Sequence, residues 1–258
     1  MNNHPIGIMD SGIGGLTVAR VLHQEFPKER FIFIGDTKRN PYGSRSISEI
    51  TGFAEEMKDF LLAHQVKMII IACNTITFSV PGKYYETSVP VVGMSMDLPE
   101  LSGVKRVAVL ATPATIHSHR HKERFVQQFP HMEVVEVPIN RLANAIETGA
   151  ELSDIREIIG EAVREYDIAD IEAAVLACTH YPLVRPLFQE LMPHTIFMDP
   201  AEATIRQAVQ VLGRMGGESG KTGQNSFFFT DGEDKAEPLI RKMFGDDAEV
   251  RNIDLSGV

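Results

Sequence analysis

The sequence has few cysteines, no excess of positive charge and no long hydrophobic run. Its 258 residues include only two cysteines, which excludes a disulfide-rich scaffold and a zinc site with four thiolates, and indicates a reducing compartment. With 25 Lys and Arg against 35 Asp and Glu, the formal net charge is −10, which disfavours binding to nucleic acid or to an anionic membrane surface. We therefore expect neither a nucleic acid nor a membrane as a partner.

No apolar segment is long enough to cross a membrane. The longest apolar stretches, such as residues 68–73, are far shorter than the roughly 18 residues that span a bilayer. Residues 1–10 contain no basic region followed by a long apolar stretch, so we expect no targeting segment and place the protein in the cytoplasm. The chain length predicts about two domains, each with its own core.

Short apolar segments alternate with helical patterns along most of the chain, as is typical of a parallel sheet flanked by helices. Residues 16–25 and 49–63 carry apolar side chains at helical spacing and are predicted helices. The predicted strands are residues 6–9, 31–34, 67–72, 106–111, 133–137, 173–177 and 226–229. The predicted fold class is therefore α/β.

Two parts of the chain are similar to each other. Residues 70–75 (IIACNT) resemble residues 175–180 (VLACTH), and their cysteines, Cys73 and Cys178, are 178 − 73 = 105 residues apart. Because open α/β sheets bind ligands beyond the carboxyl ends of their strands, we infer two pseudo-symmetric lobes whose strand ends face one cleft. Each lobe would contribute one thiol. A chance similarity between two buried strands is the alternative.

The predicted first lobe is discontinuous. Pro, Gly and Ser concentrate at residues 90–103, which indicates the boundary between the lobes. A helical segment at 202–214 leads into a glycine-rich loop at 216–220 and then into one more strand and helix, and we expect this tail to pack on the first lobe. The predicted lobes comprise residues 1–93 with 203–258, and residues 94–202.

Residues 10–15 (DSGIGG) form a glycine-rich turn between a predicted strand and a predicted helix. Such a turn presents backbone N–H groups to an anion, and Asp36 lies at a plausible distance for a residue that binds a ribose. The dinucleotide fingerprint is incomplete, because its third glycine would fall at Thr17. Asp10 is unfavourable beside a phosphate but suited to orient a thiol or accept its proton, whereas Ser11 is also typical of a helix cap.

Each cysteine follows an apolar strand and precedes hydroxyl or amide residues. A lone buried cysteine is most often a small hydrophobic residue. A helix N-terminus is expected just beyond both Cys73 and Cys178, which would lower the thiol pKa and favour the thiolate. His180, two residues after Cys178, adds a base or a hydrogen-bond partner. The spacing of the cysteines excludes a redox C-x-x-C pair.

Three histidines, His117, His119 and His121, have the spacing of a metal site if they lie on a strand. The segment leads into residues 122–129, which are predicted to be helical, and on a helix His119 points away from the other two. We therefore predict a solvated basic helix face and no metal site. Residues 40–44 (NPYGS) predict a turn, because of their Pro and Gly.

Four motifs occur together in this sequence: DSGIGGLT at 10–17, GDTKRNPYG at 35–43, ACNT at 72–75 and ACTHYPL at 177–183. With them, the chain resembles the glutamate racemases of the aspartate/glutamate racemase family over nearly its whole length. The resemblance implies two pseudo-symmetric lobes and a cofactor-independent isomerase that interconverts L- and D-glutamate and supplies D-glutamate for peptidoglycan. It also suggests a homodimer. The chain departs from the family pattern at residues 94–97 and 119–121.

The resemblance implies roles for individual residues. Cys73 and Cys178 would be the acid/base residues on opposite faces of the substrate α-carbon, Asp10 would assist Cys73, and His180 would assist Cys178. Glu147 would lie near the substrate ammonium or near His180. The implied substrate-binding residues are Asp10, Ser11, Tyr42, Gly43, Asn74, Thr75, Thr112, Thr115, Glu147, Thr179 and His180.

Two opposed thiols suit racemisation, because inversion of an α-carbon removes a proton from one face and returns one to the other. This interpretation requires neither a pyridoxal cofactor nor a metal. Two alternatives stay open. One is an isomerase with two thiols that acts on aspartate or a hydantoin, and the other is a catalytically idle protein that binds D-glutamate, a cell-wall precursor or a protein such as gyrase.

Overall fold

The computed structural model describes residues 3–214 and 224–255, and the predicted loop at 216–220 lies outside them. The strands are β1 Ile6–Asp10, β2 Phe31–Gly35, β3 Met68–Ile71, β4 Val91–Val92, β5 Arg106–Ala111, β6 Glu133–Pro138, β7 Ala173–Ala177, β8 Ile196–Met198, β9 Ser226–Phe229 and β10 Glu249–Asn252. The α-helices are α1 Leu16–Glu25, α2 Ile47–Ala63, α3 Asn74–Ser79, α4 Pro113–His117, α5 Arg120–Gln128, α6 Leu142–Glu147, α7 Leu152–Glu165, α8 Arg185–Leu191, α9 Pro200–Arg214 and α10 Glu233–Phe244.

The strands form two parallel sheets with a shared order. The first sheet has the order β10-β9-β2-β1-β3-β4, and the second has the order β6-β5-β7-β8. The segment β2-β1-β3-β4 of the first sheet matches the whole of the second, as the internal similarity predicts. The α/β class with two related lobes is therefore confirmed. β9 and β10 extend the first sheet, while the domain boundaries given above stay predictions.

The seven predicted strands are confirmed to within one residue at each end. The central strands β3 and β7 are buried along their whole length, as expected for strands with helices on both faces. The sequence did not indicate β4, β8 or β10. β4 has two residues and β8 has three, too few for a pattern, and half of the edge strand β10 is exposed and polar.

Helix α9 returns the chain to the first lobe. It packs against α1, and its residues Ile205, Ala208 and Leu212 are buried in the core on that side of the first sheet. The predicted helix at 202–214 is confirmed, although it begins two residues earlier. No helix in the part of the chain described here has the length and apolar composition needed to cross a membrane.

The prediction of a solvated face for the three histidines is wrong for His121. Its imidazole is buried and packs edge-on against Phe78 of α3, with ring centroids 4.5 Å apart, and also contacts Phe125. Burial lowers the pKa of His121 to about 4, so the ring is neutral at pH 7. His119 is exposed and contacts Glu136, as a solvated side chain does. The contact of His121 with Phe78 instead joins the two lobes.

Candidate active site

The register of the strands brings both cysteines to the carboxyl ends of the sheets. In the first sheet Met9 of β1 lies opposite Ile71 of β3, so that Ser11 and Cys73, two residues further on, are neighbours. In the second sheet Ala111 of β5 lies opposite Ala177 of β7, and Cys178 follows directly. Each sheet therefore delivers one thiol to the edge at which α/β proteins bind ligands.

Both thiols line one cavity between the lobes, which we call the site cavity. Its lining residues are Ser11, Asn40, Pro41, Tyr42, Gly43, Cys73, Asn74, Thr75, Thr112, Ala143, Cys178, Thr179 and His180, and they include ten of the thirteen predicted site residues. The cavity leaves about 20 Å³ for the centres of water molecules, which is room for about one water. The cleft must therefore open further to admit a molecule as large as an amino acid.

Cys73 lies beside a hydroxyl and near a carboxylate. Its Sγ is 3.5 Å from the Oγ of Ser11. Asp10 lies just behind the cavity lining, where its carboxylate accepts hydrogen bonds from the backbone N–H of Gly15 and from the Thr179 hydroxyl. The Cys73 half of the site is therefore built around groups that carry either no charge or a negative charge.

Burial disfavours charge in this half of the site. It raises the pKa of Cys73, and the Asp10 carboxylate raises it further, against the opposing effect of the Ser11 hydroxyl. Burial likewise raises the pKa of Asp10 to about 6, although His180 opposes the shift. Helix α3 begins directly after Cys73, as expected, but the expected lowering of the thiol pKa is wrong for Cys73, because desolvation outweighs the helix.

Cys178 faces a chain of hydrogen-bonded, charged groups. Its Sγ is 3.8 Å from Nδ1 of His180, and the Nε2 of His180 is hydrogen-bonded to the Glu147 carboxylate. Burial alone would lower the pKa of His180, but the hydrogen bonds to Cys178 and Glu147 outweigh it and raise this pKa well above its ordinary value. The hydrogen bond to the Glu147 carboxylate therefore favours the imidazolium form of His180, whose ring lies beside the Cys178 sulfur.

Glu147, at the end of α6, also joins the lobes through the glycine-rich turn. The backbone N–H of Ile13 donates to both carboxylate oxygens of Glu147, each at 3.2 Å. A Cβ at Gly12 would lie 2.5 Å from the Glu147 Oε1, and a Cβ at Gly14 would lie 2.6 Å from the His180 Nδ1. The turn therefore needs glycine because the second lobe packs on it, and the anion that it binds is a carboxylate of the same chain.

The structure gives no support to the nucleotide interpretation of that turn. Asp36, the candidate ribose ligand, is fully buried, and its carboxylate accepts hydrogen bonds from the Tyr42 hydroxyl, from Arg39 and from the Thr230 hydroxyl. Burial and the nearby Asp36 carboxylate both raise the pKa of Tyr42. The phenol of Tyr42 therefore lines the site cavity while its hydroxyl is already bonded elsewhere.

Three threonines from both lobes form a cluster of hydroxyl groups. The Oγ1 of Thr75 is 3.0 Å from that of Thr112 and 3.4 Å from that of Thr115, and the latter two are 3.1 Å apart. Thr115 does not line the site cavity but lies behind the other two. Because hydroxyl groups can rotate, the cluster can present donors to a carboxylate.

Several buried polar atoms around the site cavity make no hydrogen bond to any of the described residues. They are Oδ1 of Asp10, Nδ2 of Asn40 and both Oδ1 and Nδ2 of Asn74. Because buried polar groups are normally hydrogen-bonded, these atoms indicate a polar ligand that both donates and accepts. Within residues 3–214 and 224–255, no cluster of three or more His, Cys, Asp or Glu could hold a metal ion.

Asn40, Pro41 and Ala143 line the site cavity but were not predicted to do so. Asn40 and Pro41 lie inside the motif GDTKRNPYG, which could have indicated them. Ala143 carries no such signal, because an alanine on a short helix has no chemistry of its own, and only the packing of α6 brings it to the cleft.

Comparisons with known proteins agree with this geometry. The family model for Asp/Glu/Hydantoin racemase matches residues 6–208. A glutamate racemase of Lactiplantibacillus plantarum is 34% identical over 98% of this chain and 97% of its own length. The crystal structure of glutamate racemase from Francisella tularensis in complex with D-glutamate is 28% identical, with a TM-score of 0.88 over 100% of both chains. The glutamate racemase RacE1 of Bacillus anthracis gives a TM-score of 0.87 at 28% identity over 98% of both chains. The chain therefore belongs to the Asp/Glu/Hydantoin racemase family, alongside the glutamate racemases.

Proposed function

We propose that the chain interconverts L- and D-glutamate by proton transfer between Cys73 and Cys178, without a cofactor. The observation that carries this proposal is the pair of thiols from two matching lobes in one closed cavity. A racemase must act on both faces of the α-carbon, and two fixed bases do so without moving. The relatives named above support glutamate as the substrate.

In each direction one sulfur begins as a thiolate and the other as a thiol. The thiolate takes the α-proton, the electron pair of the C–H bond passes into the substrate carboxylate, and the thiol gives its proton to the opposite face of the carbon. The two sulfurs exchange states in each turnover. The imidazolium of His180 would stabilise the Cys178 thiolate, and Ser11 and Asp10 would orient the Cys73 thiol.

The negative charge that develops on the substrate carboxylate requires hydrogen-bond donors that are already in place. Ser11, Asn74, Thr75 and Thr179 line the site cavity and offer such donors. We assign the Thr112 and Thr115 hydroxyls, together with Tyr42 and Gly43, to the wall that holds the rest of the substrate. The free Oδ1 of Asp10 and the carboxylate of Glu147 would attract the ammonium group.

We further propose that the D-glutamate formed by the chain serves peptidoglycan synthesis in the cytoplasm. A homodimer stays a prediction from the family resemblance. Neither the metabolic role nor the oligomeric state concerns the chemistry of the cleft. An assay of racemisation by the pure protein therefore does not depend on them.

Circular dichroism of pure protein with L-glutamate, D-glutamate and L-aspartate tests the proposed reaction. We expect the signal of either glutamate enantiomer to decay to zero and the signal of aspartate to persist. Racemisation of aspartate alone would assign a different substrate, and no decay with any amino acid would indicate an idle protein.

The same reaction in deuterium oxide tests the use of two bases. Starting from L-glutamate, early D-product should carry deuterium at the α-carbon, while the recovered L-substrate stays largely unlabelled. A single base that returns its own proton would instead deliver the original hydrogen to the product.

A further inference from the structure

A second cavity adjoins the site cavity at the surface, and we call it the vestibule. It is lined by Pro41, Gly43, Ser44, Thr112, Pro113, Ile139, Asn140, Arg141, Ala143 and Asn144. Four of these residues, Pro41, Gly43, Thr112 and Ala143, also line the site cavity. Three other large surface cavities share no lining residue with the site cavity. Of these four surface cavities, the vestibule is the one that adjoins the site cavity.

The vestibule leaves about 270 Å³ for the centres of water molecules, against about 20 Å³ in the site cavity. A molecule the size of glutamate therefore fits the vestibule before the cleft opens further. Its walls come from both lobes, residues 41–44 from the first and residues 139–144 from the second. A substrate held there would be in place when the lobes separate.

The charge of the substrate makes this first step unfavourable. Glutamate carries two carboxylates and one ammonium group near neutral pH, whereas the chain has a formal net charge of −10. The long-range field of the protein therefore repels the substrate. The residues that line the site cavity include no Lys or Arg, and the imidazolium of His180 is already hydrogen-bonded to Glu147.

Among the described residues that line the vestibule, Arg141 is the one with a charged side chain. Its backbone is held at φ 67, and its N–H donates to the Asn140 Oδ1 at 3.0 Å, which fixes the start of the side chain at the rim. Its side chain is 67% exposed, and within residues 3–214 and 224–255 the guanidinium makes one ion pair, with Glu161 at 3.2 Å. Because exposed ion pairs are weak, a substrate carboxylate can compete with Glu161 for this cation.

Resting on the proposed function, we propose that Arg141 captures the anionic substrate at the mouth of the cleft, and so favours dicarboxylic amino acids over neutral ones. Arg141 is a positioning residue, because it touches neither thiol. Its effect belongs to the Michaelis constant, since it acts before the proton is moved.

The test is the dependence of racemisation kinetics on ionic strength for the parent and for Arg141→Gln. The Debye length is about 30 Å at 0.01 M salt and about 3 Å at 1 M. We expect Arg141→Gln to raise KM about three- to tenfold at low salt with kcat within about twofold, and the two proteins to converge at high salt. Arg141→Lys keeps the positive charge and should therefore have a KM close to that of the parent. A comparison of the two variants separates the effect of the charge from any effect on the backbone.

Arg106→Gln is the control, because Arg106 is also an arginine paired with a glutamate, Glu133, and its side chain is 37% exposed. It starts β5, and Ala111 at the other end of this strand, about 17 Å away, directly precedes Thr112 at the vestibule. This variant changes the net charge equally and should leave KM within about 1.5-fold of the parent. Glu161→Gln should lower KM, because it removes the competing carboxylate.

Equal KM values for the parent and Arg141→Gln at low salt would overturn the proposal, as would an equal effect of Arg106→Gln. A parent protein that does not racemise glutamate would overturn the proposed function and this inference with it. An active parent whose kinetics are indifferent to Arg141 would overturn the inference alone.

Discussion

The two halves of the cleft come from matching strands but differ in their charges. In the Cys73 half the neighbours are Ser11 and Asp10, and burial raises the pKa of both Cys73 and Asp10. In the Cys178 half an imidazolium faces the thiol, because His180 is hydrogen-bonded to Glu147. The two thiols therefore follow similar strands but lie in different electrostatic environments. The residues that come after each strand, and their partners in the fold, determine the charge around each thiol.

This difference suits a reaction that needs one thiol and one thiolate at the same time. Burial and the Asp10 carboxylate raise the pKa of Cys73 and so keep this thiol protonated. In the Cys178 half, the Nδ1 of His180 lies 3.8 Å from the sulfur. The raised pKa of Cys73 therefore favours a resting state in which Cys73 is the thiol.

Removal of either thiol has the largest expected effect. Cys73→Ala and Cys178→Ala should each lower kcat for racemisation by at least about a thousandfold, because one face of the α-carbon loses its acid/base. Both variants should fold, since each side chain is small, and the near-ultraviolet spectrum and thermal unfolding check this. Near-parental racemisation by either variant would exclude that cysteine as the base and point to Asp10 or His180.

The pH dependence of the free energy of unfolding tests how much the buried Asp10 carboxylate destabilises the folded state. The pKa of Asp10 is about 6 in the folded chain against an ordinary value of 3.8, so the folded state holds the proton more tightly. The contribution of Asp10 to stability is therefore present below about pH 4 and is lost as the pH rises through about 6. Two pKa units correspond to about 3 kcal/mol.

We expect Asp10→Asn, which is neutral at every pH, to gain up to about 3 kcal/mol in free energy of unfolding relative to the parent between pH 4 and pH 7.5. Urea unfolding at the two pH values measures this gain. Ser11→Ala is the control, because it changes the same half without removing a titratable group. A constant difference between Asp10→Asn and the parent at both pH values would contradict the raised pKa.

Glu147→Gln tests the charged chain of the Cys178 half. Loss of the carboxylate lowers the pKa of His180, so the imidazole loses its charge near neutral pH, and kcat/KM should fall about ten- to a hundredfold. L- and D-glutamate are equal in free energy, so the equilibrium constant is one and kcat/KM is the same for both directions of the reaction. The fall in kcat/KM must therefore be equal in both directions, whereas the fall in kcat can differ. Glu136→Gln is the matched control, since Glu136 also contacts a histidine, His119, but outside the cleft. A similar fall in kcat/KM in both variants would contradict a specific role of Glu147 in the cleft.

The smallest expected effect is a difference between the rates at which Cys73 and Cys178 are alkylated. Both thiols are nearly inaccessible, at 4% exposed for Cys73 and 6% for Cys178. With iodoacetamide near pH 7, we expect Cys178 to react about three- to tenfold faster than Cys73, because burial and the Asp10 carboxylate raise the pKa of Cys73 and reduce its thiolate fraction. Peptide mass spectrometry measures the two rates, and the difference should disappear in urea. Faster reaction at Cys73 would contradict its raised pKa.

Much of the frame could be predicted because it depends on local patterns. The apolar segments ending at Asp10, Cys73, Thr112 and Cys178 identified the central strands, since parallel strands with helices on both faces are continuously apolar. The internal similarity predicted two related lobes, whereas the order of the strands in each sheet needed the folded molecule. The short strands and the edge strand β10 carry too little apolar pattern to be detected this way.

The position of most site residues could also be predicted, because residues just after parallel strands meet at one edge of the sheet. Asn40 and Ala143 could not be found from that rule, since they lie on a turn and on a short helix. His121 was misjudged for a related reason. A polar histidine in a basic segment suggests exposure, but the packing of Phe78 against it comes from the other lobe.

Local composition and spacing were thus sufficient to predict the two α/β lobes and the thiols at their strand ends. Both features depend on apolar patterns within short segments of the chain. The partners of the charged groups needed the folded molecule. Glu147 bonds Ile13, 134 residues away, and this contact joins the lobes and leaves no room for a side chain at Gly12. Electrostatic environment depends on distance and desolvation in space, and neither can be read from the order of residues along the chain.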